Sequence, residues 1–503
     1  MVGHERAADE RERVVAALCA PDLAGIVDLV VWVAAHEGRA TAYAANHLGR
    51  VRLAPGGRHE VLAGRDPIAS EDPMAFLPYA AQVAAASPER SVDNAYPYAA
   101  ERILSLFADP DRSPDLAVVH TPRHYFPDEG GHVGEHGSLD VVQSRAPLIL
   151  AGAGVRRLGH VDEHAMLVDV GPTLAHLAGV PDEALRDADG AALDGRVLAA
   201  YLDGRLPRAV VGVLWDGGHC GEVLHLAATG ELPVIARLVE RGVALRGGAV
   251  AQFPSITLTN HASILTGVGP GRHGVLGNVY YDRATGQRVV PNDESTWHRS
   301  AEWLRPGVRT VFEMVADAVP AAGGLRTACV DEAIDRGADY STMALVRASG
   351  SASGAGGLGD RLPDAGASPF VREPQWLADP YFRWGVSVDD LGLAQMRELY
   401  AGGLARAPRL TWWANVVTDA GHHGGGPRSD MARESLRQAD ARLGVFMELL
   451  AEHGELDEVA FLLTADHGFE GAVPPVTGSW RAALDAVGVP YRDEGPGFVY
   501  LRP

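Results

Sequence analysis

The residues that could do chemistry stand in short clusters. Asp419-Ala-Gly-His-His423, followed by Gly-Gly-Gly-Pro427, sets a carboxylate and an imidazole four positions apart on an expected glycine loop, a spacing that lets both reach one metal ion. Thr464-Ala-Asp466-His467-Gly468 offers a second such pair, with Gly468 permitting a sharp turn away. Asp216-Gly217 after AVVGVLW is a third and Gly134-Glu-His136-Gly137 a fourth. A single pair of this kind binds metal in about one case in four, and four in one chain, all after expected strands, reverse those odds. A fifth element is Phe253-Pro-Ser-Ile-Thr257-Leu-Thr-Asn260-His, then Gly271-Arg-His-Gly274. A helix expected to start near Asn260 would put a hydroxyl where unpaired N–H groups and the helix dipole attract a phosphate. Ser255, Thr257 and Thr259 are rival hydroxyls, and the plainer reading of all three is helix capping.

The elements that must hold these clusters are legible as a pattern. AVVGVL before Asp216, VAFLLTA before Asp466 and LAVVHT before the 130–137 loop read as buried parallel strands with a site at their carboxyl ends. Leu232, Ile235, Leu238 and Val239 share one face of a helix that starts near Pro233 and is closed by Gly242. Ser429 or Asp430 caps another, with Leu436, Leu443, Phe446, Leu449 and Leu450 inward and Gly454 at its end. Strand and helix alternate, which predicts an α/β sandwich with a mostly parallel sheet. The stretch 321–367 is rich in Gly, Ala and Ser and reads as a flexible loop or lid, and Leu206-Pro207-Arg208 as a linker.

Composition narrows the function further. Forty-seven per cent hydrophobic residues over 503 positions support a large core, and a net charge of −21 argues against binding a nucleic-acid duplex or an acidic membrane surface. Cys19, Cys220 and Cys329 form no CxxC pair, so neither a disulfide framework nor a zinc ribbon is expected. No apolar run approaches a membrane span and the amino-terminal stretch is too acidic for a signal peptide, so the expected location is cytoplasmic.

The clusters together resemble the type I phosphodiesterase/nucleotide pyrophosphatase branch of the alkaline phosphatase superfamily: TxxNHxxxxTG with a following HG, DG after the first strand, DxxxHxxGP, and DHG. The resemblance implies that Thr257 is a covalent nucleophile and that Asn260 holds a non-bridging phosphate oxygen. It implies two divalent metal ions, Zn2+ or Mn2+, one on Asp419, His423 and His136 and the other on Asp216, Asp466, His467 and the Thr257 oxygen. His132 and His124 compete with His136; His422, Cys220, His160, His164, His176, Glu135 and Asp128 are given packing, surface or supporting roles. The sulfatase CxPxR motif is absent.

The order of parts departs from the family. The Gly-x-His-Gly element, APLILAG at 146–152, DVGPTLAHLAG at 169–179 and DGRVL at 194–198 all precede the first metal Asp, where the family has them after DHG. The expectation is therefore a circularly permuted alkaline phosphatase-like sandwich, with 1–207 equivalent to the family's carboxyl-terminal half, 208–503 to its amino-terminal half, and a cap insertion at 289–402. Both parts are expected to share one sheet and one catalytic domain. The implied activity is hydrolysis of phosphodiester or nucleotide pyrophosphate bonds in a small phosphorylated substrate. Phosphonate or phosphomonoester hydrolysis, and a non-catalytic binding protein on the same fold, are the alternatives; the oligomeric state is not expressed in the sequence.

Overall fold

Runs of β-branched and apolar residues ending in Gly or polar residues build an eight-stranded sheet. The computed structural model describes residues 2–84, 95–126, 131–320, 324–351, 357–495 and 497–501. The strands are β1 (Leu148–Gly152), β2 (Gly159–Val161), β3 (Ala209–Trp215), β4 (Gly242–Leu245), β5 (Thr327–Val330), β6 (Tyr340–Ser341), β7 (Leu410–Asn415) and β8 (Val459–Thr464), in spatial order β6-β5-β7-β3-β8-β1-β4-β2. Pairing is parallel from β6 to β8 and between β4 and β2, and only β1 runs against its neighbours. β3, β7 and β8 are buried along their whole length, as central parallel strands must be.

Alternation along each strand feeds two layers. Val210 and Leu214 of β3 and Trp412 of β7 enter one apolar cluster with Leu174 and Phe312; Val211, Val213, Trp215 and Trp413 enter the other with Ile235, Leu436 and Phe446. The five helices used below are α1 (Val170–Ala178), α2 (Thr257–Thr266), α3 (Pro380–Tyr400), α4 (Val417–Gly425) and α5 (Asp430–Glu452). The Ser429 hydroxyl caps α5 by accepting from Ala432 N at 3.1 Å.

Four expectations are corrected. Among the described residues there are two large sheets, not one, with three small sheets of two or three strands beside them: Tyr491–Glu494, Phe498–Leu501, Leu116–His120, Val27–His36, Arg39–Asn46, Gly49–Ala54 and Arg58–Gly64 form the second large sheet, antiparallel and of seven strands. Each of the two large sheets takes strands from both sides of Pro207. LAVVHT is accordingly an antiparallel strand, because a short apolar run reports burial and not the direction of its neighbours. The stretch 321–367 is not all loop and 289–402 not all cap, since β5 is a buried strand and β6 the edge strand of the eight-stranded sheet, and their four-residue and two-residue lengths are too short for a periodic signal. Asp128 and the Gly- and Ser-rich run at 352–356 lie outside the described residues. Among the described residues no helix is long and apolar enough to cross a membrane, and all three cysteines are free.

Candidate metal centre and nucleophile

Asp216, Asp466 and α4 all follow directly from the carboxyl ends of β3, β8 and β7, so neighbouring parallel strands deliver their polar residues to one place. Asp419 and His423 are expected on a loop but lie on the helix α4, where a spacing of four puts them on one face, His423 Nε2 standing 3.5 Å from Asp419 Oδ2. His467 Nε2 lies 3.1 Å from Asp466 Oδ2 and 3.8 Å from Asp216 Oδ1. His136 arrives from the segment after the second sheet, with its Nε2 3.2 Å from His423 Nε2 and its ring stacked on that of His467 at 3.7 Å. Gly217 makes the approach possible: at φ 62°, a Cβ there would meet the Phe469 ring at 2.2 Å and Asp419 Oδ1 at 2.9 Å.

Each imidazole is oriented from behind. Nδ1 of His136 donates to the Ser255 carbonyl (3.1 Å), that of His423 to Gly134 (2.9 Å) and that of His467 to Gly468 (3.2 Å). A carbonyl only accepts, so the proton sits on Nδ1 and every Nε2 presents a lone pair inward. Burial, reinforced by the neighbouring imidazoles of His467 and His423, holds His136 well below the usual histidine range. Burial likewise lowers His467, against the pull of Asp466. Burial and the carboxylates of Asp466 and Asp419 push Asp216 well above the usual carboxylate range.

These residues fit divalent cations. Asp216 Oδ1, Asp419 Oδ1 and Asp466 Oδ2 are buried without a hydrogen-bond partner, and the two Nε2 lone pairs of His136 and His423 face each other. Only positive charge between such groups offsets their desolvation and mutual repulsion. Among the described residues three ligand groups fall out of the geometry, His136 with Asp419 and His423, Asp216 with Asp419 and His467, and Asp216 with His261 and Asp466, each with its donor atoms within 4.8 Å of one another. His132 and Glu135 make a further group with His423, so His132 stays beside His136 as a candidate. His124 does not come into the cluster; it stacks on Phe126 at 4.1 Å. His422 is turned away, its Nδ1 donating to the Thr418 carbonyl, and Cys220 is buried at a helix start.

The helix expected near Asn260 begins three residues earlier, at Thr257, so Thr257 is its first residue. Thr257 Oγ1 lies 3.5 Å from His467 Nε2 and is part-exposed, whereas Ser255 and Thr259 are buried, Ser255 Oγ donating to the Ser138 carbonyl at 2.7 Å. Asn260, a turn into the helix, spends its amide inside the loop: Oδ1 accepts from Gln252 N at 2.7 Å, and Nδ2 donates to Pro254 and Ile256, both at 3.1 Å.

Four residues here escape the sequence reading. Asn278 Oδ1 accepts from Leu258 N at 3.4 Å, which lays its amide against the amino end of α2. His261 Nε2 stands 3.7 Å from Asp216 Oδ2 and 3.6 Å from Asp466 Oδ2, with its Nδ1 2.9 Å from Glu332. Tyr381 donates to Asp419 Oδ2 at 2.7 Å. His261 sits inside the TxxNH motif and could have been singled out; Asn278, Glu332 and Tyr381 carry no spacing that ties them to the cluster.

A family model described as type I phosphodiesterase / nucleotide pyrophosphatase matches residues 210–477, just over half of the chain. The chain belongs to this family. The matched span holds every site element except His136, and family members are metal-dependent. An uncharacterized pyrophosphatase/phosphodiesterase of Schizosaccharomyces pombe is 35% identical over 95 residues, 17% of this chain and 19% of that protein. Among solved structures, phosphonoacetate hydrolase from Sinorhizobium meliloti in complex with phosphonoformate is 24% identical with a TM-score of 0.33. Murine ectonucleotide pyrophosphatase / phosphodiesterase 5 is 16% identical with a TM-score of 0.36. Each of these two alignments covers 52% of this chain and 57% of the other. The chain thus spans about a fifth of the curated relative and just over half of the solved chains.

Proposed function

We propose that this protein hydrolyses phosphodiester or nucleotide pyrophosphate bonds in a small phosphorylated substrate, with Thr257 as covalent nucleophile. The observation that carries the reading is the position of Thr257: of the three rival hydroxyls it alone is part-exposed, and it stands at the start of α2 beside His467. Asp216, Asp466 and His467, with the Thr257 oxygen, would hold one divalent ion; Asp419, His423 and His136 would hold the other. Two such ions, zinc or manganese, supply charge that favours the Thr257 alkoxide and steadies the leaving oxygen.

The rest is work for the chain itself. Thr257 Oγ forms a bond to phosphorus as the bond to the leaving oxygen breaks, and water then releases the phosphoryl group from Thr257. Backbone N–H groups and the dipole at the start of α2 would favour the phosphate, and the Asn278 amide, whose Oδ1 is engaged by Leu258 N, would offer its NH2 to a phosphate oxygen. Asn260, with its amide committed to the loop, keeps the backbone ahead of Thr257 in shape instead. The permuted chain order belongs to this reading too: it is supported by His136 and by β1 and β2 reaching the common site and sheet from before Pro207.

The test is bound metal per chain together with turnover of bis-(p-nitrophenyl) phosphate, p-nitrophenyl phosphate and phosphonoacetate. About two metals and fastest turnover of the diester are expected. Metal-loaded protein that turns over none of the three would overturn catalysis, and preference for phosphonoacetate would move the assignment to phosphonate cleavage.

A further inference from the structure

A cavity of about 630 Å³, a volume ordinary for a small-molecule site, lies between the helix Ala99–Leu106 and the segments flanking α1, and no residue of the metal cluster lines it. The helix buries Ala99, Ala100, Ile103 and Leu106 against the second large sheet and lends Ser105 to the cavity. Opposite, Asp169 ties the two flanking segments together, accepting from Met166 N at 3.0 Å and from Arg196 N at 2.9 Å. The hydrogen-bonding capacity left over on this lining is one-sided. Its other carboxylates are engaged too: Asp194 by Gly269 N and Arg272, and Glu101 Oε1 by Gly56 N, with Oε2 closed off from solvent. Arg102 is committed to the Pro97 and Leu139 carbonyls and Ser144, and Tyr98 and His164 satisfy each other at 2.6 Å. Arg196 uses only its backbone N–H; among the described residues its guanidinium has neither an ion pair nor a hydrogen bond. The Ser105 hydroxyl and the side-chain amide of Gln252, a residue only 5% exposed, are unengaged on the same terms. These two stand together around Gly269, where a Cβ would meet Ser105 Oγ at 2.0 Å and Gln252 Oε1 at 3.4 Å. A buried amide without a partner costs stability that a bound ligand restores. Met166 and Val168 supply apolar surface beside these groups. One free cation, one hydroxyl and one amide among apolar side chains match an organic anion with an apolar body. Gln252 also has a second attachment: its backbone N–H donates to Asn260 Oδ1 at 2.7 Å, in the loop that runs on to Thr257.

We propose that this cavity is a second ligand site, taking a compact organic anion with an apolar body on Arg196, Ser105 and Gln252, and that its occupation alters turnover through the 252–260 loop. The effect on turnover rests on the phosphoester reading above; the binding does not. The test is titration calorimetry of the metal-loaded protein with 2-naphthoate and with 2-naphthamide, a neutral molecule of nearly the same shape. Naphthoate is expected to bind once per chain and about tenfold more tightly than the amide, the scale of one charge-assisted hydrogen bond. Arg196→Gln should bring the two affinities together, and Leu104→Trp, which puts a larger side chain into the cavity, should weaken both. With bis-(p-nitrophenyl) phosphate as substrate, saturating naphthoate should change kcat by about fivefold in the unaltered protein and leave it unmoved in Arg196→Gln. Equal affinities of the two probes in the unaltered protein, or binding of neither, would overturn the site whether or not a variant folds. A rise in KM alone that persists in Arg196→Gln would place naphthoate on the metal centre and overturn it as well. Binding as expected with kcat unmoved would overturn the coupling to the loop and uphold the site. Absence of any turnover beside the expected calorimetry would sink the phosphoester reading and the coupling while the site stands.

Discussion

Replacing Thr257 by Ala removes one hydroxyl and leaves every proposed Asp and His ligand in place. Thr257→Ala should keep most of its metal and its melting temperature while diester turnover falls by about three orders of magnitude or more, measured with bis-(p-nitrophenyl) phosphate. Thr257→Ser should stay measurably active because the oxygen survives, and Thr259→Ala should be mild. Death of Thr259→Ala beside a mild Thr257→Ala would reverse the assignment. The two asparagines separate in the same assay: Asn278→Ala should lose about 100-fold in turnover at unchanged metal content, whereas Asn260→Ala should first lower stability, since three buried hydrogen bonds of the 252–260 loop depend on it. Motif spacing brings forward Asp216, Asp419, His423, Asp466, His467 and Thr257, because each sits at a fixed offset from a strand or helix end. It assigns Asn260 to a phosphate oxygen, whereas in the structure its amide bonds within the 252–260 loop; whether an amide faces the substrate or its own loop depends on where the helix starts, and the start lies three residues earlier than the pattern suggests.

At the scale of elements, α5 and the turn after β3 are the sensitive parts. Ser429→Ala removes the cap of a 23-residue helix and should cost about 1 kcal/mol in urea unfolding, with metal binding unaffected. Gly217→Ala should do the opposite, lowering metal content far more than stability, because the added methyl points at Phe469 and Asp419 rather than into the main core. The strands β3 and β8 and the helix α5 were open to reading since their runs are long enough to show burial or a 3.6-residue period. β5, β6 and the partners of Leu116–His120 were not: pairing across hundreds of residues leaves no local mark, and a core strand of four residues looks like any other short apolar stretch.

Over the whole molecule, two bodies of sheet share one site, and their stability should answer to metal and pH separately. Chelation should lower the melting temperature by several degrees and added zinc or manganese restore it, since the ions would bind the folded cluster and not the open chain; an unchanged melting temperature in metal-free protein would count against the centre. In the second sheet, His59 is raised to about 9 from 6.5, first by its hydrogen bond with Glu71 and, against burial, by Asp66. A raised value means that this clip stabilises fully below pH 6.5 and loses its contribution as the pH climbs through 9. The melting-temperature gap between the unaltered protein and His59→Gln should therefore close between pH 7 and 10. The seven-stranded sheet also sets a timetable. Tyr500 in its strand Phe498–Leu501 bonds to Arg112, 388 residues away, and that strand covers the outer edge of Leu116–His120. At about 5–20 residues per second a ribosome needs about 20–80 s to make the chain between them. Through that interval the nascent protein carries an uncovered strand edge next to the segment that leads to His136, so growth conditions that slow translation should increase its demand for chaperones and its loss to aggregation before any catalytic centre exists.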